Sequence, residues 1–437
     1  MARSVDDKLG RLVSASRLDA ILHADRAKLR ERIFTRRVTL GLFVEQVISH
    51  DPACQDAVGR ALSQRVALGL SPCSLNTGPY CKARERLPLA VIEHLLLDIA
   101  HDAQPLAASW NGWRRPIKLV DGTVVSMPDT PANQAAFPQN RSQQPGLGFP
   151  LARIVGVVSL SSGCVLAYTV SPCEGQATAE CRQFQRLLEA FEPGDLVIAD
   201  RAYASYFLIQ AVQDRGIDFL IRDLGRRHPR QPVCGPPQDH LVDWVKPARP
   251  RWMDPATYRT ARPALRLREV QQGDRRLLTN LRTGSPEQLD SLYQQRWHIE
   301  LDFRAIKSTL QMDILRCQSP AMIHKEIAAH LLAYNMIRAL MVRALQNQSS
   351  SPRAYSFAAA RRAVARFQEA LRHDPCRCFN SAFEQMLNAI SAANIPIRPG
   401  RVEPRAVKRR PKNPIRLTLP RPLARQNIRL AQQQRLR

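Results

Sequence analysis

Acid is what this chain has too little of. Its 437 residues carry 38 Asp and Glu against 64 Lys and Arg, a formal net charge of +26. An excess of that size is more than solubility needs, and it calls for a polyanionic partner. Long apolar runs are missing too. No uninterrupted stretch reaches the roughly 18 residues that would span a bilayer. The most apolar segment, 327–345, carries His330, Asn335, Arg338 and Arg343, so it reads as a core helix. With no lipidation motif either, no membrane partner is expected and nucleic acid takes the place of a charged lipid surface. The N-terminus, Met1-Ala-Arg-Ser-Val-Asp-Asp, lacks a signal-type apolar region, and a cytoplasmic protein is expected. The ten cysteines are scattered. Neither Cys73 with Cys81 nor Cys376 with Cys378 has zinc spacing, and no second His or Cys half-site follows. Reduced thiols, mostly buried, are expected. What is present is a globular composition, 44% hydrophobic, in a chain long enough for two or three domains. No internal repeat is visible.

Residues 1–110 read as helical, with apolar positions at helical spacing around Leu40–Ile48 and Ile92–Ile99. Ser71-Pro72 and Thr77-Gly78-Pro79 mark turns, after which Tyr80-Cys-Lys82-Ala-Arg84-Glu-Arg86 starts a basic helix. Helix, turn and basic helix suit a DNA-binding element. Near residue 115 the pattern changes. Strands are expected at 117–127, 152–160 and 164–170, the last two joined by a hairpin at Ser161-Ser-Gly163. A helix at 177–191, a short strand at 195–200, a helix at 204–215 and a strand at 217–221 complete an α/β plan with a mixed sheet. From 223 to 284 prolines accumulate, and short strands at 240–245, 265–270 and 275–281 suggest a β-rich insertion. Helices follow through 285–346 and 347–400. The tail 401–437 has twelve Lys and Arg and one acid, Glu403. It reads as an extended segment that lies along nucleic-acid phosphates.

One stretch after the insertion concentrates chemistry. Tyr293, Arg296, Glu300 and Lys307 fall within one narrow arc of a single helix, at about 0°, 300°, 340° and 320° from a 100° step per residue. Leu292, Ile299, Phe303, Ile306 and Leu310 fill the adjacent arc, which seats the helix in a core. The helix thus holds an acid among phosphate-type donors. Two more acids stand out. Asp121 ends one apolar strand and turns at Gly122, and Asp200 ends another before Arg201-Ala-Tyr203. Groups at strand ends of an open α/β sheet gather where ligands bind. Three carboxylates without a His or Cys cluster prefer Mg2+ or Mn2+, and two such ions can activate water and stabilise a leaving 3′ oxygen. The rival acids have local explanations: Asp129 sits in a proline-flanked loop, Asp195 follows Pro193-Gly194 as a turn residue, and Asp302 points away from the arc.

The spacing Tyr293-x2-Arg296-x3-Glu300-x6-Lys307 resembles the Tyr-Arg-Glu-Lys motif of the IS4-type insertion-sequence transposases. Asp121-Gly-Thr and Asp200-Arg resemble the two acidic motifs that precede it there. Ser126-Met-Pro-Asp-Thr130, Asn133-Gln134, Thr77-Gly-Pro-Tyr80-Cys-Lys-Ala-Arg84 and Lys408-Arg-Arg-Pro-Lys412 extend the likeness over nearly the whole chain.

The resemblance implies an RNase H-like (retroviral-integrase-like) catalytic core formed by 115–222 and 285–346. Around it stand a helical N-terminal DNA-binding domain at 1–110, a β-rich insertion at 223–284, C-terminal helices at 347–400 and a basic tail at 401–437. It implies that Asp121, Asp200 and Glu300 hold two metal ions, while Tyr293, Arg296 and Lys307 grip DNA phosphates. It implies cut-and-paste transposition by a prokaryotic, nucleoid-associated homodimer that pairs transposon terminal inverted repeats with target DNA. A nuclease that cuts without joining, and a DNA-binding derivative without catalysis, are the alternatives. Some relatives stack a flipped base on a tryptophan of the insertion, where Trp244 and Trp252 lie.

Overall fold

The computed structural model describes residues 15–22, 33–113, 115–174, 180–223, 230–346, 348–373, 379–396 and 418–435. Helices come first: α1 (Ala15–Leu22), α2 (Arg36–Ile48), α3 (Cys54–Ala67), α4 (Gly78–Arg86) and α5 (Leu89–Ala107). The central part runs β1 (Ile117–Ser126), α6 (Pro131–Ala136), β2 (Leu151–Ser159), β3 (Val165–Pro172), α7 (Glu180–Arg186), β4 (Leu196–Ala199), α8 (Tyr206–Asp214) and β5 (Asp218–Asp223). Next come β6 (Arg230–Cys234), β7 (Asp239–Val245), α9 (Pro255–Thr260), β8 (Ala264–Gln272) and β9 (Arg275–Thr279). The remainder is helical: α10 (Pro286–Gln294), α11 (Trp297–Arg304), α12 (Pro320–Ala344), α13 (Phe357–His373), α14 (Phe379–Ser391) and α15 (Arg421–Arg435).

Among the described residues one nine-stranded sheet forms, in the order β3-β2-β1-β4-β5-β9-β8-β7-β6. β1, β4 and β5 run parallel, and every other pairing is antiparallel. The strands after β5 therefore extend the central sheet, with β9 hydrogen-bonded directly to β5. Strand alternation splits the core in two. Leu119, Leu196, Ile198 and Leu220 face the helical layer built on α5, α10, α11 and α12. Val120, Val197, Ala199 and Phe219 face the opposite layer with Phe184 of α7 and Ile209 of α8. Among the described residues no helix is long and apolar enough to cross a membrane.

α12 is the buried helix expected from its composition, and its polar residues serve as fasteners. Asn335 donates to Leu96 O of α5 (3.1 Å) and Val165 O of β3 (2.8 Å) and accepts from Val165 N (2.8 Å). Arg338 donates to Asp302 Oδ1 at 2.7 Å.

Several expectations need correction. Arg84 of the basic helix α4 turns inward: it is buried, stacks over Phe43 and Tyr80, and donates to the Cys54 thiol. The other basic residues of that helix, Lys82 and Arg86, are exposed, as is Glu85. The tail is helical over Arg421–Arg435 instead of extended, and its basic stretch 408–412 lies outside the described residues, as does 376–378. Three described cysteines are buried, Cys73, Cys164 and Cys317; the others are half-buried, except the exposed Cys234.

Candidate active site

Strand register assembles the first half of the site. In the parallel pair β1/β4, Val120 stands opposite Ala199, the last residue of β4. The next residues on each chain are Asp121 and Asp200. Asp121 does not end its strand, as its following glycine suggested: β1 runs on to Ser126, held by β2, with Asp121 opposite Gly156. It stands instead where the neighbouring strand stops, because β4 is only four residues long. Asp200 turns the chain into a short 3-10 turn, and its carboxylate accepts from Ala202 N at 2.7 Å. Both acids thus lie where the parallel pairing of β1 with β4 ends, at the carboxyl end of β4, the usual ligand edge of an open α/β sheet.

The second half comes from α10 and α11. The expected single helix is broken in two. α10 starts from a full capping box at Ser285 and Gln288 and stops at Gln294. Gln295 and Arg296 keep helical dihedrals but bond three residues back, to Leu292 O and Tyr293 O. The turn tightens there, which eclipses residues three apart, so Tyr293 lies against Arg296. After α11 the turn widens into a π segment over Ala305–Thr309, where Leu310 N bonds to Ala305 O. The chain reverses at Gln311, the only non-glycine at positive φ among the described residues (60°). Residues 313–315 then bond to Ser126 at the end of β1. The glutamate helix is in this way pinned to the aspartate strand. Leu292, Ile299, Phe303, Ile306 and Leu310 are all buried, as the apolar arc required.

Arg296 joins the two halves. It donates to Glu300 Oε1 at 2.6 Å and to Asp121 Oδ2 at 3.4 Å. Gly122 N donates to Asp121 Oδ1 at 2.8 Å. Even so, the Asp121 carboxyl is pushed up to about 6. Burial is the main cause; the Gly122 amide opposes it, and the charge of Asp200 adds to it. Burial likewise pushes the buried Tyr293 hydroxyl up, with Arg296 opposing. Lys307 lies in the π segment, half-buried, and forms no ion pair among the described residues. Of the six expected site residues, five are thus linked by contacts or by their charges, and no ion pair among the described residues links Lys307 to them.

Two groups absent from the sequence reading also reach the site. Glu180 of α7 brings its carboxylate beside Gly122, and burial pushes its carboxyl up, with Arg153 opposing and Asp200 adding. Tyr203 is wholly buried, and the charges of Glu180, Asp121 and Asp200 all act on its hydroxyl. Tyr203 belongs to the Asp200-Arg-Ala-Tyr stretch, a signal that was present. Glu180 has no local signal, since only the tertiary fold sets it against Gly122. The rivals are accounted for. Asp195 pairs with Lys118 (2.5 Å), Asp129 with Arg421 (2.8 Å), and Asp302 with Arg338 and Arg353 (2.7 and 2.5 Å).

Carboxylate oxygens suit a hard divalent cation in their chemistry. A cationic group already stands between Asp121 and Glu300, namely the Arg296 guanidinium. As arranged, no three His, Cys, Asp or Glu side chains among the described residues are grouped to hold a metal ion. The donor set fits a cation, and Arg296 is its stand-in.

Comparison with known proteins gives this geometry its family. Residues 112–336, half of the chain, match the family described as the transposase DDE domain. The chain is 27% identical over 355 residues to the Escherichia coli (strain K12) transposase InsG for insertion sequence element IS4, covering 76% of each. Among solved structures it resembles a piggyBac transposase synaptic complex with hairpin DNA, over 91% of this chain and 86% of that one, at 9% identity and a TM-score of 0.43, a likeness too loose to fix a fold. The chain belongs to the DDE-domain transposases of the IS4 type, enzymes that cut and join DNA.

Proposed function

We propose that the acids at the end of β4 and on α11 are the catalytic set of this transposase, with Asp121, Asp200 and Glu300 as ligands of two Mg2+ or Mn2+ ions. Divalent metal is the general requirement of the family. The supporting observation is the register that sets Asp121 beside Asp200 while Arg296 links Asp121 to Glu300. When bound, such ions activate a water and stabilise a leaving 3′ oxygen in an in-line displacement. The protein's part is placement. β1 and the turn at Asp200 fix two carboxylates, and the bond from residues 313–315 to Ser126 fixes the helix of the third. Arg296 is pre-formed as a fork toward oxyanions. A DNA phosphate can take over its contacts with Asp121 and Glu300, which would release both acids. Tyr293 and Lys307 supply further donors along the same strand of DNA.

In this reading 115–222 and 285–346 form an RNase H-like core, 223–284 the insertion, and 1–110 a DNA-binding domain with Lys82 and Arg86 outward. Residues 347–400 complete the helical layer, and 401–437 follow DNA phosphates. The working unit is a homodimer on two transposon ends, acting at the nucleoid of a prokaryotic cell. The test incubates the full chain with duplexes carrying the element's own terminal inverted repeats, a target plasmid and Mg2+. Joined products are expected; cleavage without joining would favour a nuclease. Glu300→Gln should abolish cleavage and spare end binding, and retained cleavage would remove Glu300 from the set.

A further inference from the structure

Gly122 follows Asp121 on a strand, and its φ is not in the left-handed region. The backbone therefore does not require glycine there, but a side chain at this position would have to push the Glu180 carboxylate aside. A Cβ on residue 122 would lie 2.8 Å from Glu180 Oε1 and 2.9 Å from its Cδ. The carboxylate of Glu180 is thus packed against the bare backbone next to Asp121. It arrives from the face of the sheet opposite Glu300, since α7 contributes to the layer that holds Val120, while α11 contributes to the layer that holds Leu119.

A second observation concerns Tyr203. Its side chain has no exposed surface, and its hydroxyl has no hydrogen-bond partner among the described residues. An unmatched buried hydroxyl costs about 1–3 kcal/mol. The acids acting on it are Glu180 first, then Asp121 and Asp200. A phenol buried among carboxylates that do not take its proton is placed to meet a polar ligand held between them.

We propose that Glu180 is a fourth acidic residue of the metal site, sharing a divalent cation with Asp121 and Asp200, and that Gly122 is glycine in order to admit it. The inference rests on the metal-site reading above. Two divalent ions bring four positive charges and take about six oxygen ligands each, more than three carboxylates satisfy. Glu180 is also the adjustable member. Asp121 and Asp200 are tied to the backbone amides of Gly122 and Ala202, whereas Glu180 Oε1 has a loose ion pair with Arg153 Nε at 3.7 Å. A purely structural Glu180 would exist for that ion pair, and this is the alternative to be separated.

The experiment titrates the full chain with Mn2+ and follows the free ion by electron paramagnetic resonance, with no DNA and no turnover. It is done in the wild type and in an Arg296→Gln background, which removes the competing guanidinium. Glu180→Gln is expected to weaken Mn2+ binding about tenfold or more, and Asp121→Asn at least as much. Gly122→Ala, which pushes the carboxylate aside, should match Glu180→Gln, whereas Arg153→Gln should keep wild-type affinity. Full affinity in Glu180→Gln alongside a loss in Asp121→Asn overturns the inference and leaves the metal-site reading standing. So does an Arg153→Gln variant that matches Glu180→Gln. Full affinity in Gly122→Ala overturns the role given to Gly122. Full affinity in Asp121→Asn, or no Mn2+ uptake in either background, overturns the metal-site reading and this inference with it. Melting without metal checks that each variant folds; should Glu180→Gln fail, Glu180→Asp, which keeps the charge and shortens its reach, is read in its place.

Discussion

Two acidic centres in this protein are built on opposite terms. Asp302 is wholly buried, and every demand it makes is met: Arg353 donates at 2.5 and 2.6 Å, Arg338 at 2.7 Å and Tyr334 at 2.8 Å. Burial alone would push its carboxyl up, but the Arg353 and Arg338 charges outweigh it and hold it below the usual carboxylate range. At the end of β4 the balance is reversed. Asp121 is less buried, yet its carboxyl is pushed up to about 6, by burial first and with a neighbouring Asp200 adding to it. One arginine serves two acids there, at 3.4 and 2.6 Å. The first centre is closed and ties α11 to α12 and residue 353. The second keeps unspent negative charge, which is what a site for cations and phosphates requires.

The sharpest way to break that contrast is to neutralise the closed centre. Asp302→Asn leaves Arg338 and Arg353 buried without their counter-charge and should cost about 3–5 kcal/mol of stability. Urea unfolding followed by far-UV circular dichroism measures it. A variant that folds as well as the wild type but no longer cuts DNA would make Asp302 part of the site and end the distinction. The reverse substitution, Asp121→Asn, removes a charge that burial disfavours, so it should raise the urea midpoint at pH 7 or leave it no lower, and it should lower end cleavage by more than about a hundredfold. A gel assay on end duplexes reads this loss, and an unchanged rate would show that the open centre has another purpose.

Much of this contrast was legible in the sequence, though not all. The helical wheel points Asp302 away from the arc of Glu300, and the structure sends it to α12 and Arg353. β1 to β5 follow from their apolar runs. β6 has no clear strand pattern because Pro232 interrupts it, as suits the sheet's edge strand. The union of the later strands with β5 is a long-range pairing with no local signature. The break at Gln295–Arg296 has none either, having no Gly or Pro. Glu180 lies in an expected helix, and its closeness to Gly122 belongs to the tertiary fold alone. Of the two tryptophans, Trp244 packs inside against Tyr206, and the half-exposed Trp252 lies under Arg182.

His330 sharpens the comparison within α12 itself. One turn before Tyr334, it is buried, and among the described residues it forms no ion pair and its Nδ1 finds no partner. Burial, then the charge of Arg316, lowers its pKa to about 3. The unfolded chain takes up this proton near 6.5 and the folded chain does not. The neutral ring's contribution is therefore complete above about 6.5 and is lost as pH falls toward about 3. At pH 4.5 the loss should be about 2–3 kcal/mol. His330→Leu should flatten the decline in urea stability between pH 6.5 and 4.5. An equally steep decline would place the acid sensitivity elsewhere.

The smallest expected effect comes from an ion pair that resembles the closed centre but is not enclosed. Arg421 of α15 donates to Asp129 Oδ2 at 2.8 Å and stacks over Phe149 at 3.8 Å. Both side chains keep about a fifth of their surface in water, where solvent and salt screen the pair. Arg421→Ala should therefore cost about 1 kcal/mol or less in global stability. The local consequence should be larger than the global one, because the guanidinium also stacks on Phe149, a half-exposed aromatic ring. Trypsin digestion of the native protein is expected to cut within 421–435 several times faster in the variant, while the urea midpoint barely moves. A midpoint shift as large as that of Asp302→Asn would mean that α15 is part of the fold's closed framework and not a tail fastened to its surface.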